Sequence, residues 1–215
     1  MATPTEFRDR TQAGRALAEQ LGAWAGHPEV VVLALPRGGV PVAAPVAQAL
    51  GAPLDVLVVR KLGHPLEPEF ALGAIAGGGV QVMNPLTGLP PVSEADLAEV
   101  VAHEQAELQR REQAYRGDRP PCALGGRVAI LVDDGLATGA SMLAAVRAAR
   151  AAGAARVVVA VPVASREAMA LVGAEADEVH SVQVPEPFRA VGLWYRDFEQ
   201  TGDEEVRSLL AQAAR

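Results

Sequence analysis

Lysine is all but missing from this chain, cysteine and aromatic residues are scarce, and no long apolar run occurs. Of 19 basic residues 18 are arginine, and Lys61 is the single lysine. The lone cysteine, Cys122, excludes an internal disulfide and leaves no thiolate cluster for a metal, which suits a reducing, cytoplasmic setting. Half the residues are apolar, yet no uncharged stretch reaches the roughly 18–20 residues of a membrane helix, so no membrane partner is expected. The N-terminal charges are not followed by an apolar stretch either, so no signal peptide is expected. Excess positive charge is also absent. A formal charge of −7 speaks against a nucleic-acid-binding face, although a local site for a small polyanion remains open.

The arginine excess has a bland source in the base composition of a GC-rich gene. That bias does not explain why one lysine is retained. Arginine offers a planar fork and lysine a compact, mobile point charge, so Lys61 is a candidate for chemistry that needs the latter.

What is present is an alternation of helical and strand patterns over 215 residues, enough for one domain with a sizeable core. Helical spacing of Leu17, Leu21 and Trp24 predicts an opening helix over 9–25. Apolar runs predict buried strands at 30–35, 54–59, 127–133, 156–163 and 178–182. Helices are expected over 40–50, 93–115, with Ser93 as N-cap, 140–152 and 204–213. Residues 71–76 and 80–83 flank three glycines and predict a hairpin, followed by a proline-rich loop over 84–92. The fold class is therefore α/β, a mainly parallel doubly wound sheet.

The most informative segment is residues 128–141, VAILVDDGLATGAS. Five apolar residues make a buried strand, two carboxylates follow, and a turn of small residues opens a helix. Backbone N–H groups in such a turn form an anion nest, and the helix N-terminus adds partial positive charge. Gly135, Leu136, Ala137, Thr138, Gly139, Ala140 and Ser141 are thus the candidate loop for a phosphate dianion, Thr138 and Ser141 with added hydroxyls. Asp133 and Asp134 would repel that phosphate, and make sense if the ligand also brings hydroxyl donors or a divalent metal. A ribose 5-phosphate unit meets these needs, with its 2- and 3-hydroxyls at the two acids. The alternative is an ordinary strand-to-helix turn capped by Asp134.

Residues 128–141 resemble, throughout their length, the signature of the type I phosphoribosyltransferase family, and the likeness extends to most of the chain. Phe7, Asp9, Arg10, Ala13 and Gly14 further resemble the opening of a bacterial branch of that family. The resemblance implies a single domain over 1–215, a mobile loop at about 60–70 and a small hood at about 183–199. It also implies a transferase that uses phosphoribosyl pyrophosphate and Mg²⁺, releases diphosphate, and works without a covalent nucleophile. Asp133 and Asp134 would position the ribose and hold the metal weakly, directly or through water. Pro36, Arg37, Gly38 and Gly39 match the place of the diphosphate loop, and the family implies a cis Pro36–Arg37 peptide. If the first and third strands are neighbours, that loop and the signature loop face each other across the crevice where the winding reverses. Lys61, read as ending the second strand at the same edge, would steady the diphosphate together with Arg37. His64 is expected to be a solvated loop residue.

The resemblance implies an acceptor that is a small molecule like a nucleobase. Phe188 and Trp194 are the hood aromatics that either stack on it or pack the lobe. Ala137 replaces the aspartate usual in enzymes for 6-oxopurines, and the hood has no lysine, so the base is left open. Two other classes of function compete. A relative that only senses phosphoribosyl pyrophosphate usually has a nucleic-acid surface, which this composition disfavours. A hydrolase of ribose phosphates would need a nucleophile motif, and Cys122 behind two prolines is not one. A homodimer is allowed, since family members often form one.

Overall fold

The computed structural model describes residues 6–67, 70–83, 91–117 and 119–213. Helix α1 (Arg10–Gln20) starts where the Asp9 carboxylate accepts the Gln12 N–H at 2.7 Å, one of the donors that a helix start leaves open. Strand β1 (Val30–Ala34) is buried at every position and feeds α2 (Gly39–Leu50). The chain then forms β2 (Leu54–Val56) and three strands of a second sheet, β3 (Val59–Gly63), β4 (Ala71–Ala76) and β5 (Val80–Met83). A long helix, α3 (Glu94–Arg116), follows, with Ser93 accepting the Asp96 N–H as its cap. The order continues with β6 (Val128–Val132), α4 (Ala140–Ala151), β7 (Arg156–Val163), α5 (Arg166–Gly173), β8 (Glu178–Gln183) and α6 (Asp203–Ala213).

Five strands make one parallel sheet in the order β2-β1-β6-β7-β8, and the hairpin strands make an antiparallel sheet β3-β4-β5. The alternation along β1 explains the layers. Val30, Val32 and Ala34 join the core on the side of α1, α2, α3 and α6, whereas Val31 and Leu33 join the core under α4 and α5. Both faces are covered, so the central strands β1 and β6 carry no polar face. The fold is α/β with a mainly parallel, doubly wound sheet, as the alternation of patterns predicts. Among the described residues, no helix is long and apolar enough to cross a membrane.

One expectation needs correction here. The apolar run at 54–59 is not one strand: Val56 ends β2, and Val59 begins β3, with Lys61 paired to Ala74 across an antiparallel ladder. An apolar run cannot reveal that its two ends belong to different sheets, because both ends are apolar. Residues 166–173 form a helix that the sequence patterns had not marked. The expected proline-rich loop lies outside the described residues over 84–90.

Candidate functional site

Strands β1 and β6 are parallel neighbours, and the chain winds from β1 to β2 on one side and from β6 to β7 and β8 on the other. The loops after β1 and β6 therefore diverge at a switch of winding direction, the place where open parallel sheets form a ligand crevice. The two loops touch closely at their roots. Leu35 N–H donates to the Val132 carbonyl at 2.9 Å. A Cβ on Gly39 would lie 2.7 Å from that carbonyl oxygen and 3.0 Å from Asp133 Cα, and a Cβ on Gly38 would lie 2.2 Å from Asp134 Oδ2. Only glycine lets the backbone come this near. The Pro36–Arg37 peptide between the strand and these glycines is cis.

The acids sit where β6 gives out. Asp133 Oδ1 accepts the N–H of Asp134 at 2.8 Å. Burial pushes the Asp133 carboxyl well above the usual carboxylate range, and the neighbouring Asp134 charge pushes in the same direction. Burial also raises Asp134, but Arg10 opposes it. Arg10 Nε and Nη2 each stand 2.9 Å from Asp134 Oδ2. The Asp134 carbonyl accepts the Tyr195 hydroxyl at 2.6 Å.

Past the acids, the turn is fixed from behind. Leu136 bridges to Ala164, its N–H donating to the Val163 carbonyl and its own carbonyl accepting the Ser165 N–H. Ser165, the N-cap of α5, accepts the Ala168 N–H and donates its hydroxyl to the Ala137 carbonyl at 2.7 Å. Gly139 takes φ +79, a left-handed conformation that glycine enters at little cost, and α4 begins at Ala140. Among the described residues, nothing accepts the backbone N–H groups of Ala137, Thr138 and Gly139, and Thr138 and Ser141 are exposed. Open amides at a helix start are what an anion needs. Leu136 is buried and both its backbone groups are already engaged, so, contrary to the sequence expectation, it offers an anion nothing, while Gly135 is pressed on Val191, to which its Cβ would come within 2.6 Å. Ser165→Ala should cost about 1 kcal/mol through the lost cap. A thermal melt should then show a drop of about 2–4 °C for a chain of this size, with weaker ribose 5-phosphate binding by calorimetry.

The other sequence candidates stand further apart. Arg37 leaves the crevice root and pairs with Asp203, the first residue of α6, at 3.6 Å; Tyr115 donates to the same Asp203 oxygen at 3.3 Å. Lys61 is exposed on β3, not at the edge of the parallel sheet, and with Ala140, Ser141 and Arg147 it lines a cavity of about 170 Å³ between the antiparallel sheet and α4. His64 is 2 % exposed, against the expectation of a solvated residue, and its Nδ1 accepts the Leu66 N–H at 3.1 Å. The supposed mobile stretch 60–70 is therefore in part regular β3 structure, and its residues 68–69 lie outside the described set. Phe188 and Trp194 are both partly buried against Phe7, Ala13, Val163 and Tyr195.

Arg10, Tyr195, Phe198 and Ser165 were not singled out from the sequence for the site they touch. Arg10 lies in the Phe7–Gly14 pattern, but its partner is 124 residues away and nothing local announces it. Tyr195 and Phe198 stack with centroids 5.0 Å apart, and the Arg10 guanidinium lies 3.9 Å from the Phe198 centroid.

The profile of the phosphoribosyl transferase domain family matches residues 5–193. A Mycobacterium tuberculosis protein, provisionally named a phosphoribosyl transferase, is 50 % identical over 210 residues, covering 97 % of this chain and 47 % of its own. The chain thus spans about half the length of the curated relatives it matches. The crystal structure of TT1426 from Thermus thermophilus is similar at a TM-score of 0.87 and 48 % identity, covering 97 % of this chain and 99 % of that one. The AQ2163 protein from Aquifex aeolicus shares the fold, at a TM-score of 0.52 and 15 % identity over 94 % of this chain and 85 % of its own.

Proposed function

The chain belongs to the phosphoribosyl transferase domain family, and from that premise we propose that it transfers ribose 5-phosphate from phosphoribosyl pyrophosphate to a nucleobase-like acceptor, releasing diphosphate. The observation that carries this reading is the pairing of two glycine loops on neighbouring strands β1 and β6, one with open amides at a helix start and two acids at its root. The 5-phosphate lies on the N–H groups of Ala137, Thr138 and Gly139, with Thr138 and Ser141 hydroxyls beside it. Asp133 and Asp134 accept the ribose hydroxyls. Gly38 and Gly39 border the diphosphate.

In the reaction the bond from the anomeric carbon to diphosphate breaks, and the bonding electrons leave with the diphosphate. The acceptor nitrogen bonds to that carbon and gives up its proton. Positive charge develops on the ribosyl ring and negative charge on the leaving group, so fixed charges of the right sign do the catalysis. The acids favour the first. Arg37 serves the second by exchanging Asp203 for diphosphate, an anion of greater charge, and its fork suits two oxygens at once. Lys61, across the cavity from Ser141, adds its charge on the phosphate side.

The donor set fits Mg²⁺ only as an ion carried mainly by the substrate. No group of three ligand side chains exists among the described residues, and one Asp134 oxygen is already bound to Arg10. Mg²⁺ commonly keeps one or two carboxylates and takes its other oxygens from phosphates and water. Held weakly by Asp133 and Asp134, directly or through water, it would offset charge on the departing diphosphate.

Residues 183–199 are our proposed acceptor side. The aromatics Phe188 and Trp194 pack there against Phe7, Ala13, Val163 and Tyr195, which favours a structural role over stacking on a base. Incubation with phosphoribosyl pyrophosphate, Mg²⁺ and a panel of bases should release diphosphate with at least one of them. Tight binding of the sugar diphosphate with no diphosphate released from any acceptor would replace the transferase by a sensor.

A further inference from the structure

We infer that Arg10 is a positioning residue for the ribosyl unit, holding the Asp134 carboxylate in the orientation that accepts the ribose hydroxyls. The inference rests on the ribose phosphate reading of the β6 loop and gives a role to a residue outside it.

Asp134 is gripped from several directions at once. Nε and Nη2 of Arg10 both stand 2.9 Å from Oδ2, and Gly38 packs on the same oxygen so closely that a Cβ would overlap it at 2.2 Å. Among the described residues, nothing hydrogen-bonds Oδ1, which is left for a ligand. The backbone is held as well, since the Asp134 N–H donates to Asp133 and its carbonyl accepts Tyr195. An acid so fixed loses little freedom when a hydroxyl arrives, which is how a preorganised group gains affinity.

Arg10 is itself fixed on three sides. Its third nitrogen, Nη1, donates to the Glu199 carbonyl at 2.8 Å. Its guanidinium plane lies over Phe198, which stacks on Tyr195. Its backbone opens α1 behind the Asp9 cap. The 195–199 segment, in turn, is hydrogen-bonded to the start of the chain: Arg196 N–H donates to the Phe7 carbonyl and Asp197 N–H to the Arg8 carbonyl. Among the described residues, Arg10 is the cation whose charge lowers both acids. A planar fork with three engaged nitrogens cannot be copied by the point charge of lysine. The four aromatic residues near the C-terminal end are therefore not equivalent: Tyr195 holds Asp134 directly and Phe198 through Arg10, while Phe188 and Trp194 pack the lobe.

Ribose 5-phosphate and diphosphate, titrated separately by calorimetry into the full chain, divide the two halves of the crevice. Arg10→Gln is expected to weaken ribose 5-phosphate by about tenfold or more, with diphosphate affinity within about twofold of wild type. Arg10→Lys should recover only part of that loss. Phe198→Leu, a gentler change at a half-exposed ring, should weaken ribose 5-phosphate by about two- to fivefold and carries the test if Arg10→Gln does not fold. Unchanged ribose 5-phosphate affinity would overturn the inference. So would an equal loss of both ligands, because Arg10 would then only hold the fold. A wild-type chain that binds neither ligand would instead remove the transferase reading, and the inference with it.

Discussion

Asp134→Asn is expected to lower turnover with phosphoribosyl pyrophosphate by about 10²–10³-fold, the loss typical of one preorganised group aimed at developing charge. The substitution is nearly isosteric. Its amide oxygen can still accept from Arg10, and the backbone bonds to Asp133 and Tyr195 do not involve the side chain's charge. The melting temperature should therefore stay within a few degrees of wild type. What disappears is a negative charge beside a ring that becomes positive in the transition state. Steady-state kinetics should place most of the loss in kcat rather than KM, because an interaction made mainly in the transition state lowers kcat and kcat/KM together. Unchanged turnover would remove the acid pair from the mechanism.

Gly39→Ala is the second large effect, and it acts through packing. The new methyl would stand 2.7 Å from the Val132 carbonyl oxygen and 3.0 Å from Asp133 Cα. Both are backbone atoms of the central strand's end, so neither can swing aside as a side chain would. Overpacking of this kind costs about 1–3 kcal/mol. For a chain of this size that is a fall of about 2–12 °C in melting temperature. The strain must be relieved by parting the two loops, which also widens the crevice. Calorimetry should show weaker binding of both ribose 5-phosphate and diphosphate, unlike the selective loss expected at Arg10. Full affinity with full stability in this variant would mean that the close approach of the two loops is not needed.

How much of this was written locally varies from residue to residue. Asp133, Asp134 and the turn 135–141 are adjacent in sequence, so the spacing of an apolar run, two acids and a small-residue turn was enough to mark them. Ser93 and its helix were legible for the same reason, since a cap and the N–H it accepts lie three residues apart. Lys61 was marked by its rarity but misplaced, because an apolar run does not say where one sheet ends and another begins. His64 was misjudged because its burial depends on the chain folding back, with its N–H donating to the Phe70 carbonyl and its ring accepting from Leu66.

Arg10 shows the limit most clearly. It stands in the first turn of α1, where an arginine would ordinarily be solvated, and only the long-range fold brings it to an acid beyond the sixth strand. Arg37 shows the converse: its position in the loop after β1 is local, but its ion pair with Asp203 depends on where the last helix begins. The sequence by itself determined the alternation of strands and helices, the two glycine turns and the acid pair, because hydrophobic period, turn chemistry and adjacent charges are properties of short stretches. The tertiary structure alone decided that β1 and β6 are neighbours, that Lys61 belongs to a second sheet, and that Arg10, Tyr195 and Phe198 meet at Asp134. Contacts between residues over a hundred positions apart follow from how whole layers pack, and no local pattern encodes them.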